Sequence, residues 1–583
     1  MEDQKNFIAA LVLSGLVMLG YWYFFAKPLA EDMKEQQQIE QSQVEAQVDT
    51  PEIAPLQARE TVIQSGQRIT IDSASITGSF LVEGSRFDDV SMKKYKETVD
   101  ADSGLKVMLT PEGSGHAAYI FDNWTAVNGG SGVNTPWSVV SGSTLSETTP
   151  VVLAHEADGF RVERTVSIDD RYLITLDDKV TNTSGSDLTI TRKGASRQHG
   201  LPNDLTNFFI LQEGPVAILD GNLWDMKYKK LKKERTAVKV GESGWVGLTD
   251  KYWLSAAVAP QGMPMTANFD YKLVNNEEVY ETAYTLDDVT LTPGATIESK
   301  GFIFVGAKDR DVLLKYQNEV GISEMERAID WGFLRILTRP MTWALSTLGN
   351  KIGNFGLGIM ALTFLIKVLM FPLFNKQYES QAKMKKLQPK LKKIQTLYKD
   401  DRAKLQQEMM AMYKKEGANP AAGCLPIIPT IFIFFALYKT VLINVELRHA
   451  PFFGWMTDLS AREPISILNG FGIFPWDPIP LEFLSFFAIG PLALLYGVTM
   501  ALMYTLTPQG AGDPMQQKIF KFMPWIFMFI LAPFAMGLLV YWVWNNILSF
   551  LQQYYITRKF KVDTPVDAFF RKITGKEAPD TST

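Results

Sequence analysis

The chain contains almost no cysteine, since Cys424 is the single one in 583 residues. An internal disulfide is therefore excluded. Histidine is scarce as well: the four histidines are far apart in the sequence and share no spacing typical of metal ligands. We therefore expect neither a metal site nor any other cofactor.

Charge is missing from several apolar runs of about twenty residues, most of which follow residue 320. About 20 apolar residues are enough for a helix to cross a bilayer. The first run, residues 7–25, has an acidic start and an aromatic exit instead of a small-residue cleavage site, so we interpret it as an uncleaved anchor. The glutamine-rich segment after it predicts a flexible tether.

Between residues 61 and 306 apolar and polar residues alternate in short segments. Residues 160–168 and 172–180 alternate on either side of Asp169 and Asp170, which predicts a β-hairpin. Several more such segments, separated by turn residues, predict an antiparallel β-sandwich. A carbohydrate-active site would require paired carboxylates at a fixed separation. A solvated acidic surface is the simpler interpretation, and we favour it.

The charges near the apolar runs predict the topology. Residues 375–418 contain twelve Lys/Arg against five Asp/Glu, so this segment should be cytoplasmic. The β-sandwich then lies outside and both termini lie inside. The last apolar stretch is too long for one span, and Pro533 and Gly537 allow the chain to reverse direction within it. The total is then six spans, which are the anchor and five core spans.

The predicted multi-domain membrane protein has the following order of segments: anchor 1–27, flexible periplasmic tether 28–60, β-sandwich 61–320, interfacial amphipathic helix 324–350, span 355–374, cytoplasmic helical hairpin 375–418, span 424–443, external loop 444–482, span 483–506, cytoplasmic loop 507–519, two spans within 520–556 and basic cytoplasmic tail 557–583.

One charge lies inside an apolar run: Lys367 in LTFLIKVLMFPLF. A lysine at the bilayer centre costs roughly 2.5–3.5 kcal/mol on insertion scales, so such residues usually face protein or a wet cavity. Snorkelling to the cytoplasmic end is the alternative. Since no acidic residue lies well inside another span, a polar groove would suit it. The candidate lining residues are Thr363, Thr430, Asn545, Asn546, Ser549, Gln552 and Gln553. Each of these polar residues alone is more commonly an interhelical hydrogen-bonding group.

Several long segments resemble those of one family, the YidC membrane protein insertases of the Gram-negative type. They are LTFLIKVLMFPL, NPAAGCLPIIP, DPMQQKIFKFMP and GLLVYWVWNNILSFLQQYYI in the second half and EGPVAILDG and GWVGLTDKYWL in the first. The resemblance covers nearly the whole chain in the same order. It implies an insertase and folding chaperone of the bacterial inner membrane, which is not an enzyme and has a hydrophilic groove open to the cytoplasm and to lipid.

The resemblance also implies roles for particular residues. Lys367 matches the basic position of the groove, where many relatives carry arginine, and Thr430 and Trp542 match polar and aromatic groove positions. The hairpin is expected to capture substrates, and a set of methionines there would either pack it or offer an adaptable apolar surface: Met384, Met409, Met410 and Met412.

The implied partners are nascent inner-membrane proteins, the Sec translocon, membrane lipids and the ribosome through the basic tail, without any DNA. The alternative function is a solute transporter or channel with an external binding domain. Such proteins commonly show internal repeats and several charged sites at the midplane. This sequence shows no repeat and one central charge, so we favour the insertase.

Overall fold

The computed structural model describes residues 56–127, 132–203, 205–206, 211–398, 401–416, 427–476, 487–507, 514–562 and 564–574. The predicted anchor, most of the tether, Cys424 and the end of the basic tail lie outside these residues.

The first half of the described chain folds into two β-sheets of eleven and nine strands. The strands are β1 Arg68–Asp72, β2 Ile76–Leu81, β3 Arg86–Lys96, β4 Leu105–Leu109, β5 Ala118–Ala126, β6 Ser138–Ser141, β7 Thr144–Leu145, β8 Val151–Ala157, β9 Phe160–Ile168, β10 Leu173–Asn182, β11 Leu188–His199, β12 Gly214–Leu219, β13 Asn222–Asp225, β14 Thr236–Gly241, β15 Gly244–Thr249, β16 Trp253–Val258, β17 Met265–Val274, β18 Glu277–Leu286, β19 Val289–Leu291 and β20 Thr296–Ala307.

The larger sheet has the order β14-β17-β18-β11-β5-β3-β2-β1-β7, with β4 and β19 paired to β3 and β11. The smaller sheet has the order β13-β12-β15-β16-β20-β10-β9-β8-β6. The predicted hairpin is confirmed, since β9 and β10 pair antiparallel with Ile168 opposite Ile174. The alternating apolar residues of both strands are buried, because strands expose alternate side chains to opposite faces.

The second half is helical. The helices of the described chain are α1 Arg59–Val62, α2 Tyr228–Glu234, α3 Arg310–Lys315, α4 Arg335–Ile352, α5 Phe355–Leu397, α6 Arg402–Lys415, α7 Ile427–Ile443, α8 Pro491–Leu506, α9 Pro514–Leu531, α10 Met536–Lys559 and α11 Pro565–Thr574. Helix α10 packs against α5 and α8, and α4 packs against α5 and α7. By length and hydropathy α5 is the one described helix that could cross a membrane, and shorter apolar helices cover Pro429–Ile443, Pro491–Leu506 and Lys521–Leu531.

Four helix boundaries differ from the expected segments. Helix α8 begins at Pro491 instead of residue 483, and α9 begins at Pro514 instead of residue 520. Helix α4 begins at Arg335 instead of residue 324, because Met325, Ile329 and Trp331 pack into the core of the β domain. Helix α5 does not end at residue 374. It continues to Leu397, so the predicted span and the first arm of the predicted hairpin are one helix.

Candidate functional site

Lys367 lies on α5 and faces α10. Its ammonium donates a hydrogen bond to Ser549 Oγ at 2.6 Å and lies 4.4 Å from the centre of the Phe374 ring. Ser549 Oγ donates in turn to the carbonyl of Asn545 at 2.6 Å. Within the described part of the chain Lys367 forms no ion pair with a carboxylate. The cation is therefore held by a hydroxyl group and an aromatic face, with donor capacity left for another acceptor.

The direction of the Lys367 side chain bears on the snorkelling alternative. Phe374 lies two helical turns beyond Lys367 along α5, so the ammonium leans toward that end of the apolar run. It leans along the protein surface of α10, since Ser549 is its hydrogen-bond acceptor. The ammonium is therefore in contact with protein groups of α5 and α10, and its lean toward the end of the apolar run is also the direction that snorkelling would give.

Two of the predicted groove residues are used in packing. Thr363 is buried and its hydroxyl donates to the carbonyl of Ile359 in its own helix at 2.7 Å. Asn546 donates to Thr499 Oγ1 on α8 at 3.2 Å. Asn546 therefore joins two helices, the commoner role of a polar residue in a span. Asn545 and Thr430 are half-buried on α10 and α7.

Trp542 lies in a packed aromatic cluster instead of beside Lys367. Its side chain is 6% exposed, and its ring is stacked with Phe434 at 5.6 Å and contacts Tyr496 and Phe534 at 5.9 and 5.6 Å. Seven helical residues separate Trp542 from Ser549, which is about 10 Å along α10. The cluster therefore closes the space between the helices toward the start of α10.

On the other side of Ser549 the facing helices carry amides. Gln553 donates to Gln381 Oε1 on α5 at 2.9 Å. Gln553 Oε1 and Gln552 Nε2 are buried and have no hydrogen-bond partner among the described residues. Buried polar atoms of this kind usually bind water. The contact with Gln381 could not be found in the sequence, because residue 381 falls in the segment predicted to be a separate cytoplasmic hairpin.

The methionines of the predicted hairpin differ in position. Leu387 and Leu391 of α5 form a small buried cluster. Three partly buried methionines pack against that cluster: Met384, Met409 and Met412. Met410 is 57% exposed on α6. Three of the four methionines are therefore used in packing, and Met410 is available at the surface.

Comparisons with known proteins agree with this architecture. Residues 68–344 match the family model of the YidC periplasmic domain, and residues 347–563 match the model of the 60Kd inner membrane protein. The membrane protein insertase YidC of Maricaulis maris (strain MCS10) is 43% identical over 592 residues, which covers 99% of this chain and 100% of the relative. That of Caulobacter sp. (strain K31) is 37% identical and covers 99% of each chain.

A solved structure described as an active YidC insertase with the first transmembrane domain resolved is 18% identical, has a TM-score of 0.35 and covers 84% of this chain and 93% of its own. The family models and the curated relatives define the class: a membrane protein insertase with a periplasmic β-sandwich and a helical membrane region. The chain belongs to the YidC family of insertases.

This membership confirms the insertase interpretation and the predicted periplasmic β-sandwich. The chain is an inner-membrane protein of a family that inserts membrane proteins.

Proposed function

We propose that this insertase passes the polar external segments of its clients along a groove beside Lys367, while the apolar segment of the client enters lipid. The observation that carries the proposal is the ammonium of Lys367, which is bound by Ser549 and Phe374 and has no carboxylate partner in the described chain. Two unit charges at 4 Å attract by about 4 kcal/mol at an effective dielectric constant of 20. An acidic client segment would therefore be drawn to this position.

The amides around Ser549 support a hydrated path on one side of Lys367. The unpartnered atoms of Gln552 and Gln553 would be satisfied by water or by the polar backbone of a client. A polar segment in such a space loses less hydration than in hydrocarbon, where each unsatisfied backbone group costs several kcal/mol. The Trp542 cluster would close the opposite side and so confine water to the cytoplasmic half.

The proposed topology has six spans and cytoplasmic termini. The end of α7 lies on the side of the periplasmic β domain, because Arg448 donates to the carbonyls of Lys96 and Glu97 there. The far ends of α5 and α10 then lie on the cytoplasmic side, as do α6 and the tail. Met410 would contact apolar client segments. The Sec translocon, lipids and, through the basic tail, the ribosome are the proposed partners, of which the last follows from the preference of RNA for Lys/Arg.

The charge of Lys367 provides the test. We expect Lys367→Glu to slow insertion of a two-span client with an acidic external tail by roughly tenfold or more, since 1.4 kcal/mol is a factor of ten. Lys367→Arg should retain insertion because it retains the charge. The measurement is protease protection of the tail in proteoliposomes.

The control is Lys351→Glu, an exposed charge reversal on α4 that lies outside both the predicted groove and the predicted hairpin. It should insert the client at the normal rate, and a client with a neutral tail should depend little on residue 367. Equal insertion by Lys367→Glu and Lys367→Arg would contradict the electrostatic role of the lysine.

A further inference from the structure

The segment 464–476, PISILNGFGIFPW, lies between α7 and α8 and carries no charged residue. We call it the apolar loop. Ile473 is 81% exposed, and Phe474 and Trp476 are stacked at 4.4 Å with nearly parallel rings. Its exposed large apolar side chains are Ile467, Phe471, Ile473, Phe474 and Trp476. Contiguous exposed apolar groups of this kind mark a binding surface.

The apolar loop has a defined structure that satisfies its own polar groups. Asn469 Oδ1 accepts hydrogen bonds from the backbone N–H groups of Ser466 and Gly472 at 2.8 and 3.2 Å. Ser466 Oγ accepts from the N–H of Leu468 at 3.2 Å, and the indole of Trp476 donates to the carbonyl of Leu468 at 3.2 Å. This internal bonding lowers the cost of moving the loop out of water, because unsatisfied polar groups are what hydrocarbon penalises.

The apolar loop is fixed to the start of α8. The buried carboxylate of Glu463 accepts hydrogen bonds from the backbone N–H groups of Leu492 and Ala493 at 3.0 and 3.2 Å and from the indole of Trp455 at 3.0 Å. A Cβ at Gly490 would lie 2.3 Å from Glu463 Oε2, so glycine is required for this approach. The loop is thereby held level with the N-terminal end of a helix in the membrane region.

The position of the apolar loop relative to the β domain identifies the side of the membrane. The chain leaves α7 at Ile443, and Arg448 soon after it contacts the β domain. Since the β domain is periplasmic, the segment that follows lies at the periplasmic surface. The apolar loop therefore lies next to the periplasmic surface of the bilayer in which the flanking helices α7 and α8 are embedded.

We propose that the apolar loop inserts into the periplasmic leaflet of the membrane and that its partner is the boundary between lipid headgroups and acyl chains. Tryptophan is enriched at that boundary, and tryptophan and phenylalanine are typical of the apolar face of segments that lie in it. The absence of charge over thirteen residues suits lipid and not an anionic or cationic protein surface. The proposal goes beyond the insertion groove and rests on the membrane location of the family, so loss of the Lys367 mechanism would leave it intact.

The test uses the full chain with Cys424→Ser and a single cysteine introduced as Ile473→Cys, labelled with an environment-sensitive NBD group. The protein is reconstituted into phosphatidylethanolamine and phosphatidylglycerol vesicles with nitroxide on a shallow acyl carbon. We expect a blue-shifted emission and a loss of about half of it to the nitroxide, because interfacial apolar groups lie about 5–10 Å into the boundary.

The matched control is Val240→Cys, an aliphatic residue of β14 with 69% exposure. It should show neither the shift nor the quenching. Ile467→Cys is a second probe on the same loop and should be quenched like residue 473. Equal quenching at residues 473 and 240 would overturn the proposal. So would protection of residue 473 from both lipid nitroxide and aqueous iodide, because protein would then cover the loop.

Discussion

At the scale of single residues, Lys308 is a buried cation of the β domain. Its ammonium donates to Thr249 Oγ1 at 2.9 Å and to the carbonyl of Asp250. Burial lowers the pKa of Lys308 to about 8, against the opposing effect of the Asp250 and Asp330 carboxylates. The folded protein therefore releases this proton at a lower pH than the unfolded chain, whose lysine pKa is 10.5.

The sign of the pH dependence follows from this difference. Between pH 8 and 10.5 the unfolded chain binds more protons at Lys308 than the folded chain does, so the contribution to the free energy of unfolding rises with pH. The slope should approach at most about 1.4 kcal/mol per pH unit. Lys308→Met should remove this slope. The measurement is the free energy of unfolding of the variant and of the parent protein at several pH values across this range. The exposed substitution Lys300→Met should leave the slope unchanged. Parallel plots of unfolding free energy against pH for Lys308→Met and the parent would contradict the prediction.

At the scale of elements, the two sheets are joined by charges. Arg164 of β9 donates to both carboxylate oxygens of Asp178 on β10 at 2.7 Å, and Arg192 of β11 donates to Asp122 of β5 at 2.7 Å. All four are fully buried, and Arg164 is also 3.5 Å from Asp122 in the other sheet. Burial raises the pKa of Asp178. The combined effect of Arg164 and Arg192 lowers it by more than burial raises it, so the net shift is downward. Its contribution to stability is present at neutral pH and is lost only as the pH falls through this lowered pKa.

Breaking this cluster should destabilise the sandwich strongly. We expect Arg164→Met to reduce the free energy of unfolding by about 3–5 kcal/mol, because the buried Asp178 carboxylate loses its bidentate partner and keeps only the more distant Arg192, at 3.5 Å. Arg164→Met combined with Asp178→Leu should recover much of that loss. The free energies of unfolding are measured by denaturant titration, with the circular dichroism signal of the β-sheets as the readout.

A residue of the same strand provides the control for this cluster. Arg161 is half exposed and forms a surface pair with Glu163 at 3.7 Å, so Arg161→Met should cost at most about 1 kcal/mol. Similar losses for the two arginine variants would show that the buried cluster contributes no more than a surface pair.

At the scale of the whole molecule, the β domain and the helical region are connected by polar contacts and a shared core. Arg448 donates to the carbonyls of Lys96 and Glu97 at 2.7 and 3.0 Å and lies over the Trp253 ring at 5.3 Å. Lys439 of α7 pairs with Asp330 at 2.6 Å. The last residues of α7 also pack into the core of the β domain. The two regions should therefore keep one relative orientation.

The combined substitution Arg448→Ala and Lys439→Ala should loosen this connection. We expect the distance distribution between spin labels at Val240→Cys and Ile352→Cys, in a Cys424→Ser background, to broaden because both polar contacts are removed. Electron–electron double resonance measures the distribution. Arg161→Ala should leave it narrow, and an unchanged width in the double variant would mean that the apolar core alone fixes the two regions.

Local patterns in the sequence predicted much of the fold. Alternation at residues 160–168 predicted a strand with one buried face, and β9 is that strand. Helix α5 shows the limit of such patterns: the apolar residues end near residue 374, but helix-forming residues continue, so the helix runs on to Leu397. Similarly, α4 starts late because Ile329 and Trp331 are held in the core of another domain, which no local period reveals.

The sequence by itself determined the periplasmic sandwich, the apolar helical region, the family and the unusual position of Lys367, because these depend on residue periods and on motifs contiguous in the chain. Only the tertiary structure decided which of the candidate polar residues Lys367 contacts, because Ser549 is 182 residues away in the chain. It also decided that Trp542 packs among aromatic rings, and that the apolar loop is exposed. These properties depend on which distant elements meet, and the physical reason is that burial and hydrogen bonding are set by neighbours in space.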